Sequence, residues 1–215
     1  MTAEFSSISP IDDSVVWAGR AASPQQINSA MHEAAAAAPP WSRRPLQQRI
    51  DVVGRYAAYL TEHRDQISDL ITREVGKLTW DARSEVAAAI AKVDLSINAI
   101  RQRRATQVIE QDAQAVGRVI RFRPLGVALV LGPFNFPLHL PGGQIIPALL
   151  AGNTVVFKPS EQATAVGQWM LQAWQHAGLP GGALQMICGG VETAITAIDS
   201  PQVNGVFLTG SRAAG

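Results

Sequence analysis

Apolar residues in the first hundred positions recur every three or four residues, a spacing that predicts a series of amphipathic α-helices. The first helix is predicted to begin with Ser23 as its N-cap and Pro24 in its first turn, and to end at Pro39 and Pro40. The third of the series is expected to end at Gly76, because glycine readily adopts the left-handed conformation that closes a helix. The pattern therefore predicts an α-helical N-terminal region of four helices.

Residues 105–124 change to a period of two. Val108 and Ile109 precede a polar stretch, and residues 118–123 then alternate arginine with apolar side chains. This alternation predicts a protruding β-hairpin with one charged face. Two interpretations remain open: an ordinary surface hairpin, or an arm that pairs with another chain through its exposed edge.

From Gly126 onward, short apolar runs alternate with helical patterns. Predicted strands span 127–131, 154–157, 183–188 and 203–208, and predicted helices span 140–150, 163–177 and 192–198. Continuously apolar strands separated by helices indicate a parallel sheet that is covered on both faces. The fold class is therefore α/β.

The carboxyl ends of the four predicted strands read GPFNFP, KPSE, CGG and TGS. Ligands of such sheets bind at the carboxyl ends of the strands, so these glycine-rich and polar segments are expected to form a nucleotide cleft.

Three of these segments also have an ordinary structural interpretation. GPFNFP is either a turn with two core aromatics or a loop that directs the Asn135 amide at a developing oxyanion. Lys158 and Glu161 are either a surface pair or contacts to ribose hydroxyls, and residues 209–211 are either a simple loop or a phosphate contact.

Charge and composition narrow the possible functions. The chain has 18 lysine and arginine residues against 17 aspartate and glutamate residues, so its net charge of +1 gives no electrostatic case for nucleic acid or an anionic membrane. No apolar run reaches the roughly 18 residues of a membrane span, and the first residues lack the pattern of a secretory signal. One cysteine permits no internal disulfide, and the four histidines are scattered rather than spaced for a metal. A cytoplasmic setting with no metal site is expected.

Taken in order, GPFNFP, AGNTVVFKPSE and FLTGSRAAG closely resemble the motifs of the aldehyde dehydrogenase superfamily, and the segment EVGK at 74–77 also fits. The resemblance covers nearly the whole chain, and the segment 139–161 is most similar to succinylglutamate semialdehyde dehydrogenases of arginine catabolism. It implies that Asn135 is the oxyanion-binding residue. It implies cofactor contacts at Leu131, Gly132, Pro133, Phe134, Lys158, Ser160, Glu161, Gly210 and Ser211.

The resemblance also implies a mechanism and a domain division. A thiolate attacks the aldehyde, hydride passes to the nicotinamide, and a glutamate activates water to release the carboxylate. A carboxylate at Glu161 would repel a 2′-phosphate, so NAD is the expected cofactor. Residues 1–104 and 125–215 are interpreted as an incomplete, Rossmann-like NAD-binding domain, and residues 105–124 as an oligomerisation hairpin. A homo-oligomer is expected.

The sequence also departs from the family pattern. The nucleophilic cysteine and the general-base glutamate of the family lie beyond these motifs, so this chain alone is expected to be inactive and to lack the catalytic domain. Cys188, near the adenine side, is interpreted as a small buried hydrophobe. Arg212 replaces a small polar residue, His139 is expected to be structural, and the chain is expected to start after the first strands of the family. The alternative to an enzyme half is a non-catalytic remnant that binds nucleotide or pairs with full-length subunits.

Overall fold

The computed structural model describes residues 3–109, 118–213 and 215. The chain begins with an antiparallel pair, β1 (Glu4–Ile8) and β2 (Val15–Arg20). The apolar pattern of the sequence does not predict this pair. These strands lack clear apolar alternation, and β1 is fixed instead by polar contacts such as the buried Ser7 hydroxyl.

Four helices follow, as the apolar spacing predicts: α1 (Pro24–Ser42), α2 (Leu46–Glu62), α3 (Arg64–Val75) and α4 (Thr79–Arg103). Ser23 caps α1 in a capping box with Gln26, and Gly76 ends α3 at a φ of 69°.

The prediction that Pro39 and Pro40 end α1 is wrong, because the helix continues to Ser42. Proline inside a helix costs about 3 kcal/mol through a lost hydrogen bond and a steric clash. The last turn nevertheless holds, because Trp41 is buried and its indole Nε1 donates to the carbonyl oxygen of Leu149 at 3.0 Å.

The predicted hairpin is confirmed: β3 (Gln107–Ile109) pairs antiparallel with β4 (Arg118–Ile120). The predicted polar turn of this hairpin lies outside the described residues. The side chains of Val108, Val119 and Ile120 are exposed.

The second half forms a four-stranded parallel sheet in the order β7-β6-β5-β8. Its strands are β5 (Val127–Leu131), β6 (Thr154–Lys158), β7 (Leu184–Met186) and β8 (Val203–Leu208). The connecting helices are α5 (His139–Leu150), α6 (Thr164–His176) and α7 (Val191–Ile198), with a 3₁₀ turn at Glu161–Ala163. The parallel α/β fold is thus confirmed, and β7 is shorter than the predicted span of 183–188.

Apolar side chains cover both faces of the sheet. Ala128 and Val130 of β5 point into a core that includes residues of α2 to α6. Val127, Leu129 and Leu131 point into a second core formed with α1 and α7. This two-sided burial explains why β5 reads as an uninterrupted apolar run rather than an alternating one.

A buried carboxylate joins the N-terminal hairpin to α6. Glu74 is 2% exposed, and its Oε1 accepts hydrogen bonds from Ser7 Oγ at 2.6 Å and the Ala165 amide at 2.7 Å. Its Oε2 accepts from the Val166 amide at 2.8 Å. The negative charge therefore lies at the positive end of the α6 dipole. Burial raises the pKa of Glu74, and the three hydrogen bonds oppose that rise.

The far edge of the sheet has exposed apolar side chains. Val206, Phe207 and Leu208 of β8 are between 37% and 43% exposed, and α7 exposes Val191 and Ile195 beside them. Within the described residues no further strand pairs with β8. None of the described helices combines the length and apolar character needed to cross a bilayer.

Replacing Glu74 by alanine should leave the buried Val166 amide, the partly buried Ala165 amide and the Ser7 hydroxyl without their acceptor. We expect the free energy of unfolding to fall by about 3 kcal/mol. Urea denaturation followed by tryptophan fluorescence measures it. The control is Ser7→Ala, which removes one of the three hydrogen bonds and should cost about 1 kcal/mol. Equal losses in the two variants would contradict the role of Glu74 as the joint between the hairpin and α6.

Candidate functional site

Polar segments follow all four strands at the same edge of the sheet. In the parallel register Leu131 lies beside both Lys158 and Leu208, the last residues of β6 and β8. The Gly132 amide donates to the Lys158 carbonyl at 2.9 Å, and the Thr209 amide donates to the Leu131 carbonyl at 3.1 Å. The segments predicted to form a cleft therefore meet along one edge.

Lys158 is a buried cation at this edge. Its side chain is 8% exposed, and its Nζ donates to the carbonyl oxygens of Gly189 at 2.6 Å and Pro159 at 2.9 Å. Glu161 Oε2 lies 3.7 Å from the same nitrogen, and the Glu161 side chain is 49% exposed. Burial lowers the pKa of Lys158, while Glu161 opposes that shift. Lys158 and Glu161 thus present an ammonium donor beside a carboxylate that solvent reaches.

Turn chemistry fixes where Glu161 points. Ser160 Oγ accepts a hydrogen bond from the Gln162 amide at 3.3 Å, which caps the 3₁₀ turn that begins at Glu161. The predicted surface-pair interpretation does not fit Lys158, because an ordinary surface lysine is not enclosed by backbone carbonyls. The surface-pair interpretation fits only Glu161, whose side chain is about half exposed.

The loop after β5 carries Asn135 between Phe134 and Phe136, and all three side chains are exposed. The interpretation of the two phenylalanines as core residues is therefore wrong. The Asn135 side chain makes no hydrogen bond to the described residues, so its amide N–H groups are available to an external acceptor.

The buried ion pair of Lys77 and Glu85 holds this loop in place. The Glu85 side chain is fully buried, and its Oε1 accepts from the Leu138 amide at 2.9 Å and the His139 amide at 3.1 Å. Its Oε2 lies 2.5 Å from Lys77 Nζ, and that ammonium lies 3.6 Å from the centre of the Phe136 ring. Backbone and side-chain contacts from α4 and the preceding turn therefore fix the residues on the C-terminal side of Asn135.

Gly132 begins the loop at a position with no room for a side chain. An added Cβ would lie 2.9 Å from Phe157 Cε2 and 2.9 Å from Pro141 Cγ. The backbone at Gly132 therefore runs close against Phe157 of β6 and Pro141 of α5.

At the end of β8, Thr209 is tied to α5 because Gln144 Nε2 donates to its Oγ1 at 2.9 Å. Gly210, Ser211 and Arg212 are exposed. The Gly215 amide donates to the Ser211 carbonyl at 3.3 Å, the spacing of a first α-helical turn. Backbone N–H groups at such a start favour an anion.

Cys188 follows β7 and is partly buried. Burial raises its pKa, and the nearby Lys158 ammonium opposes the rise. Two strand spacings of about 4.8 Å separate β7 from β5, so the thiol lies on the order of 10 Å from the Asn135 loop. This arrangement accords with a packing role for Cys188.

His139 lies partly buried at the start of α5. Burial lowers the pKa of His139, and its Nδ1 is buried without a hydrogen-bond partner among the described residues. In the described ranges, no three His, Cys, Asp or Glu side chains come close enough together to hold a metal ion.

Residues 1–215 match the profile of the aldehyde dehydrogenase family. The chain belongs to the aldehyde dehydrogenase family. It is 45% identical over 207 residues to an N-succinylglutamate 5-semialdehyde dehydrogenase from Burkholderia cenocepacia, which covers 96% of this chain and 42% of the relative. It is 44% identical to the protein of the same name from Serratia proteamaculans, over 99% of this chain and 43% of that one.

Solved aldehyde dehydrogenases share the fold. Lactaldehyde dehydrogenase from Escherichia coli superposes with a TM-score of 0.92 at 29% identity, over 100% of this chain and 45% of the other. An NADP-dependent glyceraldehyde-3-phosphate dehydrogenase from Bacillus halodurans, solved with NADP, superposes with a TM-score of 0.87 at 29% identity, over 95% of this chain and 44% of the other. This aldehyde dehydrogenase chain thus spans less than half the length of the relatives it matches.

Sequence reasoning did not find the roles of Glu85, Lys77 and Gln144. Lys77 lies in the segment EVGK, whose only significance in the sequence is its resemblance to the family. Glu85 gives one signal in the sequence, because it occupies a core-facing position of α4 next to Val86. A charged residue in an apolar stripe needs a partner, but the sequence does not show which backbone amides supply it.

We expect Glu85→Ala to loosen the Asn135 loop, because it leaves the Leu138 and His139 amides and the Lys77 ammonium without their acceptor. The free energy of unfolding should fall by about 3 kcal/mol. Hydrogen exchange of peptides spanning 131–140 should accelerate more than exchange in β1. Asp94→Ala, an exposed change on the same helix, is the control and should alter neither quantity. Unchanged exchange at 131–140 in Glu85→Ala would contradict the positioning role.

Cys188 should alkylate slowly. At pH 8 its raised pKa leaves less thiolate than a free thiol has, so iodoacetamide should react with Cys188 more slowly than with glutathione. Lys158→Met should slow the reaction further, and unfolding in urea should restore the glutathione rate. A rate above that of glutathione would instead identify an activated nucleophile.

Proposed function

We propose that this chain is the cofactor-binding part of an NAD-dependent aldehyde dehydrogenase that oxidises an aldehyde to a carboxylate. N-succinylglutamate 5-semialdehyde is the proposed substrate, because proteins named for it are among the most similar relatives. The observation that carries the proposal is the meeting of Asn135, the Lys158–Glu161 pair and residues 209–211 at one sheet edge. Residues 1–104 and 125–215 form the proposed NAD-binding domain.

The donors at this edge fit a dinucleotide. The Glu161 carboxylate can accept hydrogen bonds from both hydroxyls of a ribose, and the Lys158 ammonium has one proton beyond the two that its carbonyl partners receive. A 2′-phosphate would bring negative charge against Glu161, so NAD is preferred over NADP. The Bacillus halodurans relative binds NADP, so the preference rests on this carboxylate rather than on the family.

The phosphate groups and the nicotinamide would lie between β5 and β8. Leu131, Gly132, Pro133 and Phe134 form the wall on one side, and Gly210 with Ser211 offers the backbone of a helix start on the other. When bound, the nicotinamide supplies the hydride acceptor.

Asn135 is the proposed oxyanion donor. Its exposed amide makes no hydrogen bond to the described residues, and the Glu85–Lys77 pair fixes the adjacent backbone. A preorganised neutral donor stabilises charge that develops on the aldehyde oxygen without reorganisation during the reaction. Phe134 and Phe136 on either side would limit water at that oxygen.

The nucleophile must come from elsewhere. Cys188 is the only cysteine, and two strand spacings place it on the order of 10 Å from the Asn135 loop, whereas attack requires about 3 Å. The chain by itself is therefore proposed to be inactive. Formation of NADH from aldehyde by the purified chain would contradict this part of the proposal.

Residues 105–124 are proposed to pair subunits of a homo-oligomer. Val108, Val119, Ile120 and Phe122 are exposed, as they would be in an arm that packs on a neighbouring copy. The same observation supports the second candidate function, a non-catalytic chain that binds nucleotide and pairs with full-length subunits.

Calorimetric titration of the purified chain with NAD tests the site. We expect saturable binding that weakens about tenfold in Glu161→Ala, because a charge-assisted hydrogen bond is lost. Asn135→Ala should change affinity less than about twofold, because Asn135 is proposed to contact the aldehyde. NADP should bind more weakly than NAD, and Glu62→Ala, a remote exposed carboxylate, serves as the control. A folded chain that binds no NAD would overturn the proposal.

A further inference from the structure

Half of the positive charges of the chain lie in three short segments. Nine of the 18 lysine and arginine residues are Arg43, Arg44, Arg49, Arg101, Arg103, Arg104, Arg118, Arg121 and Arg123. They occupy the end of α1 with the start of α2, the end of α4, and β4 with the segment after it. None forms an ion pair within residues 3–109, 118–213 and 215. Positive charge is therefore concentrated in these three segments, although the net charge of the chain is small.

Three of these arginines meet in one pocket. Arg49, Arg104 and Arg123 line a cavity of about 180 Å³, together with apolar side chains that include Ile100 and Phe122. None of its described lining residues is acidic. The Arg104 guanidinium lies 4.9 Å from the centre of the Phe122 ring, which fixes one cation against the apolar wall.

Arg49 is a partly buried cation without a counter-ion. Its Nε donates to the Leu150 carbonyl at 2.9 Å, and its Nη1 donates to the carbonyls of Ser42 and Arg44. Burial lowers the pKa of Arg49, and no described carboxylate offsets that shift. Because an enclosed charge is costly unless paired, an anion that enters the pocket gains more there than at an exposed arginine.

The pocket is separate from the candidate cofactor site. Ala151, which lines it, precedes β6, whereas Lys158 ends β6 at the opposite edge of the sheet. Five strand residues at about 3.3 Å each separate the two edges by roughly 16 Å. An anion here would therefore not compete with a dinucleotide at the carboxyl ends of the strands.

We propose that the pocket lined by Arg49, Arg104 and Arg123 is a binding site for the phosphate or carboxylate group of a small molecule. Guanidinium groups bind both oxyanions through paired N–H donors. The volume equals that of about six water molecules, which suits a phosphate or a short organic acid and is too small for a nucleotide. The apolar wall at Ile100 and Phe122 would accept a short carbon skeleton.

Titration of the purified chain with inorganic phosphate and with acetate, at constant ionic strength, tests the site. We expect saturable binding of at least one of the two anions, and the tighter anion distinguishes a phosphate from a carboxylate ligand. Arg104→Gln and Arg123→Gln should each weaken binding at least about tenfold, because each removes one paired donor. Arg49 is left intact because it holds three backbone carbonyls.

The matched control is Arg103→Gln, which removes the same charge one residue away from the pocket and should change affinity less than about twofold. Unsaturable binding, or equal weakening in Arg103→Gln, would show a general charge effect and overturn the proposal. Sedimentation measures self-association in parallel. Loss of self-association in the pocket variants without any anion binding would assign these arginines to a second copy of the chain, which also overturns it.

Discussion

Strand β5 is the constraint on which the rest of the structure depends. All five of its residues are buried, and it hydrogen-bonds to parallel neighbours on both sides. A strand enclosed in this way needs apolar side chains on both faces and covering helices on both faces. Because its neighbours run parallel to it, their carboxyl ends lie at the same edge of the sheet as that of β5. The loops after β5, β6, β7 and β8 meet there because the strand directions leave them no other position.

Buried charged side chains fix the positions of the loops at this common edge. Glu74, Glu85 and Lys158 are each nearly inaccessible to solvent, and each bonds to backbone groups near a helix or strand end. Desolvating a charge is costly, so these side chains hold only where several polar partners are fixed in place. Glu85 and Lys77 thereby fix the loop of Asn135, and Lys158 fixes the turn of Gly189. These buried charged residues therefore support the exposed groups at the strand ends.

Charge distribution adds a second organising feature. The net charge of +1 gives no reason to expect a polyanionic partner, and the proposed anion pocket does not alter that argument. The pocket results from the positions of three arginines and not from the net charge of the chain. Because α2, the end of α4 and the segment after β4 converge, Arg49, Arg104 and Arg123 line one cavity, although they are far apart in the sequence. Among the residues that the structure describes, none of these three cations forms an ion pair.

The sequence by itself determined the elements and their order. Apolar periodicity placed β5 and β8 at their observed residues and predicted the four N-terminal helices, because burial on one or two faces leaves a local pattern. It could not predict the hairpin of β1 and β2, which polar contacts hold, or the last turn of α1, where the burial of Trp41 outweighs two prolines. It proposed Asn135, Lys158 and Glu161 as site residues from motif order. Only the tertiary structure decided that Lys158 is buried, that Glu85 and Lys77 hold the Asn135 loop and that three arginines share a pocket, since each depends on contacts between residues distant along the chain.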